Sequence, residues 1–332
     1  MATPIKCLAV SPRIVRGLSP NVKRSLVGRL DYSPKPKREN IQCRITINGR
    51  NYADEQDSSS NKRLLVINTP KKLSILRDGL SDCKKLKVLG RGSFGTVVKG
   101  IHKDKIVAVK VIKTKEKLKE LNALGLKHKN VISIFDVITE SDSNSIVIME
   151  YLDNCRQLQA VLDDERAIID VCRIALDVAS GLKFCHDSDL MHLDLKPKNV
   201  LLTATGSCKI CDFGNSCDRN DKDNYTHEGT VIYTAPEILA GGKPDFPADV
   251  YSLGVLFWQL KHREIPFKDF HNKFVVIYKV VKYRLRPSEN PDAHPSDYDN
   301  LYRSCWKSEP SQRPSTKEII ETLETIIPSN SC

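Results

Sequence analysis

Gly90-Arg91-Gly92-Ser93-Phe94-Gly95-Thr96-Val97, with Ala108-Val109-Lys110 ending 15 residues past Gly95, is the stretch on which the reading of this chain turns. A G-x-G-x-x-G string occurs in two unrelated phosphate-binding arrangements. In a dinucleotide-binding turn the glycines open a helix, and an acidic residue follows about 20 positions on. Here Leu86–Gly90 and Thr96–Gly100 flank the glycines as strands, and Ile106–Ile112 is a further β-branched run. Three consecutive antiparallel strands are therefore expected. A lysine on the neighbouring strand under a flexible glycine cover can reach α- and β-phosphates. The dinucleotide reading loses.

Downstream, Lys115–Leu126 has helical spacing, with Leu118, Leu121 and Leu124 expected on its core-facing side. Ile132–Ile138 and Ser145–Met149 supply two more strands. Beyond Leu152 helices dominate. Val171, Ile174, Ala175, Val178, Leu182 and Cys185 fall on one face behind the N-cap candidate Asp170. Asp249–Leu260 reads as a second, more uniformly apolar helix. Strands first and helices after make an α+β chain of two lobes, with a hinge near Glu150–Asp153.

The chemistry lies in two further strings. His192-Leu193-Asp194-Leu195-Lys196-Pro197-Lys198-Asn199 follows the long helix, and Asp212-Phe213-Gly214 places Asp212 18 residues past Asp194. Phosphoryl transfer needs an aligned acceptor hydroxyl, whose proton Asp194 can accept. It needs Mg²⁺ bridging the phosphates, for which Asn199 and Asp212 are hard oxygen ligands. It also needs positive charge near the transferring group, which Lys196 can give. Each string alone is ordinary, but the four in this order and at these intervals are hard to obtain by chance.

Residues 84–327 resemble the protein kinase catalytic domain over its whole length. Gly229-Thr230…Tyr233-Thr234-Ala235-Pro236-Glu237, Asp249-Val-Tyr-Ser-Leu-Gly254 and Gln312-Arg313-Pro314 extend the resemblance. It implies a two-lobed fold: a five-stranded antiparallel small lobe with one helix over 84–150, and a mainly helical large lobe over 151–327. Within the kinases the chain is similar to the Mos family. The segments that carry this are His192–Pro197, Trp258-Gln259, Val280–Ser288 and Cys305-Trp306…Gln312-Arg-Pro-Ser315.

The resemblance implies ATP and Mg²⁺. Gly90, Arg91, Gly92, Ser93, Phe94 and Gly95 would cover the nucleotide, with Val97 and Ala108 packed over the base. Met149 would gate the rear of the pocket, Glu150 and Leu152 would belong to the hinge, and Lys110 would pair with Glu120 or Glu116. Glu237 would pair with Arg313. Lys196, and Thr230 hydrogen-bonded to the Asp194–Lys196 pair, would favour an aliphatic hydroxyl acceptor. By the same resemblance the substrate is a MAP kinase kinase, and the biology is a MAP kinase cascade in oocyte and germ-line meiotic maturation.

One departure matters. The usual His-Arg-Asp is His192-Leu193-Asp194 here. That arginine normally clamps a phosphorylated loop through charge-assisted hydrogen bonds, and leucine has no donors. Activity is therefore expected not to depend on phosphorylation at Ser216, Tyr225 or Thr226. Cys208-Lys-Ile-Cys211 invites a zinc reading, but no second pair or histidine stands at a suitable spacing. Cys211 precedes Asp212 and by the resemblance would border the ATP pocket, where thiol labelling with and without ATP protection tests its reactivity. His186 and His192 read as structural, His192 supporting the catalytic loop.

Charge divides the chain. Residues 1–80 hold 16 basic and 6 acidic side chains; residues 81–332 hold 36 and 35. A nearly neutral body carries a basic arm with recurrent Ser-Pro and Thr-Pro pairs at 11, 19, 33 and 69, expected to be mostly disordered. Ile41–Ile47 and Leu64–Ile67 have strand character, with transient structure the preferred reading of both. The arm reads first as a solvated spacer, next as a docking element for an acidic protein partner, and third as a non-specific binder of polyanions such as nucleic acid or tubulin. Few aromatics interleave its charges, so specific nucleic-acid binding is not expected. No run of about 18 apolar residues exists to span a bilayer. Eleven cysteines without a signal peptide read as reduced thiols of a cytoplasmic protein.

Overall fold

The computed structural model describes residues 65–67, 88–92, 95–139, 142, 144–289 and 294–327. Ser93, Phe94 and the arm other than 65–67, with Ile41–Ile47, lie outside the described residues. The small lobe is built on a sheet of β1 (Leu65–Ile67), β2 (Val88–Gly92), β3 (Gly95–His102), β4 (Lys105–Lys113), β5 (Ile134–Thr139) and β6 (Asn144–Glu150). Five of these form the expected antiparallel sheet, in the order β2-β3-β4-β6-β5. The sixth falls in Leu64–Ile67, which has strand character in the sequence although transient structure is the preferred reading there. β1 runs parallel to β3, setting Leu65 against Gly100 and Ile67 against His102. β2 pairs with β3 only as far as Val98. The outer edge of β3 beyond that point has backbone groups to satisfy, and β1 occupies it.

The pleat sorts the side chains. Lys110 faces Val97 on one neighbouring strand and Val147 on the other, and Ala108 faces Met149, so these share one side of the sheet. Val98, Val107, Val109, Ile146 and Ile148 point the other way and form their own buried cluster.

The helix expected over Lys115–Leu126 is shorter. A 3₁₀ turn at Thr114–Glu116 leads into α1 (Lys117–Leu121), and the chain leaves the helix at Asn122. Gly125, at φ +82°, turns it toward β5. Leu118 and Leu124 are exposed, contrary to expectation. Glu120 is the buried residue of α1, and a residue two positions away lies about 200° around the helix, on the solvent side.

The large lobe begins with β7 (Arg156–Gln157) and α2 (Leu158–Leu162). Then comes α3 (Val171–Asp187), capped as expected by Asp170, whose side chain accepts from Arg173 N at 2.9 Å. Short strands β8 (Leu190–Met191), β9 (Val200–Leu202), β10 (Cys208–Ile210) and β11 (Cys217–Asp218) pin the intervening loops, as β10-β9-β7 and β11-β8. Helices α4 (Pro236–Leu239), α5 (Phe246–His262), α6 (Lys273–Tyr283), α7 (Asp297–Cys305) and α8 (Thr316–Ile326) complete the lobe. α5 is buried all round from Ala248 to Leu260, and the largest core cluster is packed on it and α3. No described helix is long and apolar enough to cross a membrane.

The lobes meet through backbone. Ile132 N donates to Ile210 O and Ile210 N to Asn130 O, each at 2.8 Å. The small lobe is thereby fixed to the strand that leads into Asp212.

Candidate active site

The catalytic-loop string runs from β8 to β9, and its shape comes from a carboxylate in α5. Asp249, fully buried, accepts from His192 N (2.8 Å), Leu193 N (2.7 Å) and His186 Nε2 (3.0 Å). Burial pushes this carboxyl up, but the His186 hydrogen bond and the neighbouring histidine and backbone groups outweigh it and hold it below the usual aspartate value. These bonds hold Leu193 in the left-handed region, at φ +59°, a conformation a leucine seldom adopts unaided.

Asp194, next in the chain, is buried and ringed by donors. Its Oδ2 accepts from Lys196 Nζ (2.5 Å) and Asn199 Nδ2 (3.0 Å); its Oδ1 accepts from Thr230 N (3.0 Å) and Thr230 Oγ1 (2.9 Å). Lys196 Nζ also donates to Thr230 Oγ1 at 2.6 Å. An aspartate so surrounded has a fixed orientation, and Lys196 beside it supplies compensating charge.

Across the cleft, Lys110 Nζ pairs with Glu120 Oε1 and lies 2.7 Å from Asp212 Oδ1. Glu116 takes no part in this pair. Burial works against the Lys110 ammonium, but the Glu120 and Asp212 carboxylates outweigh it and hold it above the usual lysine range. Asp212 sits at φ +69°. His192 ties its neighbourhood to the loop: Asp194 N donates to His192 Nδ1 (3.3 Å), leaving Nε2–H to donate to Cys211 O (3.2 Å). Cys211 N donates to Asn199 O at 2.9 Å. Lys110, Glu120, Asp194, Lys196, Asn199 and Asp212 thus belong to one connected cluster, although 102 positions separate Lys110 from Asp212.

The cleft-facing side of the sheet carries Val97, Ala108 and Met149 in register with Lys110. Gly90 and Gly95 are in β2 and β3 on either side of the turn, with Arg91 and Gly92 closing β2. Glu150 ends β6, and its carboxylate turns toward Ser133 N and Lys209 Nζ, each at 3.2 Å. It therefore brings no charge to the cleft. Leu152 packs at the edge of the main core. Burial, then Asp212, push the Cys211 thiol well above the ordinary range, which disfavours its thiolate.

The donor set fits a hard cation held chiefly by phosphates. The amide nitrogen of Asn199 is committed to Asp194, leaving its oxygen as ligand, and Asp212 adds a carboxylate. Among the described residues no trio of His, Cys, Asp or Glu is grouped to hold a metal unaided. Sequence reasoning missed Asp249 as the organiser of the loop. A carboxylate in the first turn of an otherwise apolar helix was the available signal. It missed as well Asn215, which donates to Leu193 O, and His227, whose Nδ1 lies 3.2 Å from Tyr225 Oη.

Two lobes joined at a hinge, a lysine–glutamate pair facing an aspartate, and a loop aspartate braced by lysine, asparagine and threonine define a protein kinase. The chain belongs to the protein kinase family, whose domain model (Protein kinase domain) matches residues 83–323. It is a serine/threonine kinase, and a Mos-like one. The serine/threonine-protein kinase mos of Patiria pectinifera is 33% identical over 315 residues, covering 87% of this chain and 88% of that protein. That of Xenopus laevis is 33% identical over 269 residues, 72% of this chain and 74% of its own length. The dual specificity protein kinase shkA of Dictyostelium discoideum is 34% identical over 258 residues, 72% of this chain and 48% of that protein.

Proposed function

We propose that this chain transfers the γ-phosphoryl group of ATP to an aliphatic hydroxyl of a MAP kinase kinase in the cytoplasm, at the head of a MAP kinase cascade in oocyte and germ-line maturation. The substrate and the biology are drawn from the likeness to Mos kinases; the chemistry is drawn from the site. Asp194 orients the acceptor hydroxyl and accepts its proton. Lys196, shared between Asp194 and Thr230, offsets the charge that develops as the phosphoryl group moves. Lys110, kept in place by Glu120, holds the α- and β-phosphates. Asn199 and Asp212 would hold Mg²⁺, which when bound neutralises phosphate charge. Thr230 closes the site around an aliphatic acceptor.

One observation carries the reading: Lys110 of the small lobe lies within 2.7 Å of Asp212, while Asp194 on the adjoining loop has both carboxylate oxygens fixed by donors. The test is a phosphotransfer assay of the purified full chain with Mg²⁺ and ATP on a catalytically dead MAP kinase kinase. Asp194→Asn should lower kcat by about 10²-fold or more, the scale of losing a proton acceptor. Lys110→Met serves as the blank. Asp194→Asn turnover equal to that of the native chain would remove Asp194 as the proton acceptor, and a native chain that transfers no phosphate would leave a scaffold in place of an enzyme. Transfer to other proteins but not to this substrate would remove the cascade assignment alone.

A further inference from the structure

With Leu193 where kinases usually carry a phosphate-binding arginine, something else must hold the segment that follows Asp212. The structure offers a continuous chain of hydrogen bonds. Asn215 Nδ2 donates to Leu193 O (2.9 Å) and to Tyr225 Oη (3.2 Å). Tyr225 Oη lies 3.2 Å from His227 Nδ1, and His227 Nε2 lies 3.3 Å from Thr234 Oγ1. Thr234 Oγ1 donates to Thr230 O at 3.0 Å. Both ends of this chain adjoin the chemistry. Leu193 immediately precedes Asp194, and Thr230 donates twice to the Asp194 carboxylate.

Donor counting gives the chain one direction. The Tyr225 hydroxyl, accepting from Asn215, donates to Nδ1; Nε2–H donates to Thr234, whose hydroxyl proton goes to the Thr230 carbonyl. That requires a neutral imidazole and a protonated phenol. Burial favours both, pushing His227 below and Tyr225 above their ordinary values. The parts are in close contact: a Cβ on Gly229 would come within 2.8 Å of His227 Cε1, 2.8 Å of Leu193 O and 3.1 Å of Asn215 Nδ2. Leu193, Tyr225, His227 and Thr234 also line one small gap.

We infer that Asn215, Tyr225, His227 and Thr234 form a phosphate-independent clamp that positions Thr230 against Asp194. These are positioning residues, and the inference rests on the proposed phosphotransfer. The Tyr225 hydroxyl has two partners inside the clamp, so a phosphate there would break it rather than activate the enzyme.

The test uses the full chain, phosphatase-treated, in the same assay. Tyr225→Phe and Thr234→Val each remove one hydroxyl at nearly constant shape; Thr234→Ser restores one. The two deletions should lower kcat about three- to tenfold, the scale of one hydrogen bond, with KM for ATP within about twofold. Thr234→Ser should stay within about twofold of the native kcat, and the double deletion should be little worse than either single one, because both break one chain. Native kcat in both deletions overturns the clamp. So does Thr234→Ser as slow as Thr234→Val, or a loss that follows the folded fraction at constant activity per folded molecule. A native chain that transfers no phosphate removes the underlying reading, a different outcome from active variants.

Discussion

Arg313 places every part of its guanidinium in the interior. Its side chain is closed to solvent; Nη1 donates to Glu237 Oε1 (2.6 Å) and Pro247 O (2.8 Å), Nη2 to Glu237 Oε2 (2.8 Å) and Ser308 O (3.3 Å), and Nε to Lys307 O (2.8 Å). Arg313→Ala takes the guanidinium donors away from Glu237 and from the carbonyls of Pro247, Lys307 and Ser308. Losing one partner of a buried pair costs about 3–5 kcal/mol, and the partial exposure of Glu237 puts this case at the lower end. A shift of the denaturant midpoint at constant slope would measure it; a loss under about 1 kcal/mol would contradict the accounting. Asp249 makes a different prediction. Its folded-state pKa lies below the ordinary 3.8, so its stabilisation is complete above that value and is lost as pH falls through the lower folded value. Native stability should therefore fall more steeply below about pH 4 than that of Asp249→Asn, which has no carboxyl to titrate there. Parallel acid limbs in the two proteins would contradict it.

At the level of elements, α1 is the weak member. Five residues without a side-chain N-cap cannot hold a helix alone, so tertiary contacts place it. Three of those contacts come from the segment after Asp212. Ser216 Oγ donates to Lys119 O (2.8 Å), Asn122 Nδ2 to Ser216 O (3.4 Å), and Lys119 Nζ pairs with Glu228 Oε2 (2.8 Å). Since α1 carries Glu120, this contact also places Lys110. Ser216→Ala should lower kcat a few-fold and speed amide exchange in 117–121. Ser216→Asp, which puts a carboxylate at a site 2% exposed, should lower kcat at least about tenfold. Activation by Ser216→Asp would refute this account. The strands, α3 and α5 were legible because periodicity, glycines and the Asp170 cap are local signals. So were Lys110, Asp194, Asn199 and Asp212, because their types and order are tied to one chemistry. The end of α1 and the exposure of Leu118 were not, since the inward side of so short a helix is set by Lys110 and Ser216, far along the chain. Nor was the Tyr225–His227 chain, whose members are ordinary residues until the fold brings them together.

For the molecule as a whole, the excess of positive charge lies in the arm. Residues 1–80 carry a net +10 and residues 81–332 a net +1. Retention on a polyanion should therefore belong to the arm and weaken steeply with salt, while phosphotransfer to a short neutral peptide should not depend on it. Leu65–Ile67 complicates a simple division, because those residues are the β1 strand on the edge of β3. Two truncations separate the contributions. Removing 1–63 should abolish polyanion retention and leave stability and peptide turnover unchanged. Removing 1–70 takes β1 as well, so amide exchange at Gly100–His102 should rise about tenfold or more, with a stability loss near 1 kcal/mol from the lost ladder bonds. β1 lies against the half of β3 remote from the glycine turn, whereas Lys110 is held by Glu120 and Asp212. Turnover should consequently survive the larger truncation. Unchanged exchange at Gly100–His102 would mean that β1 contributes nothing to the edge, and loss of turnover would mean that the strand supports the nucleotide cover through β3.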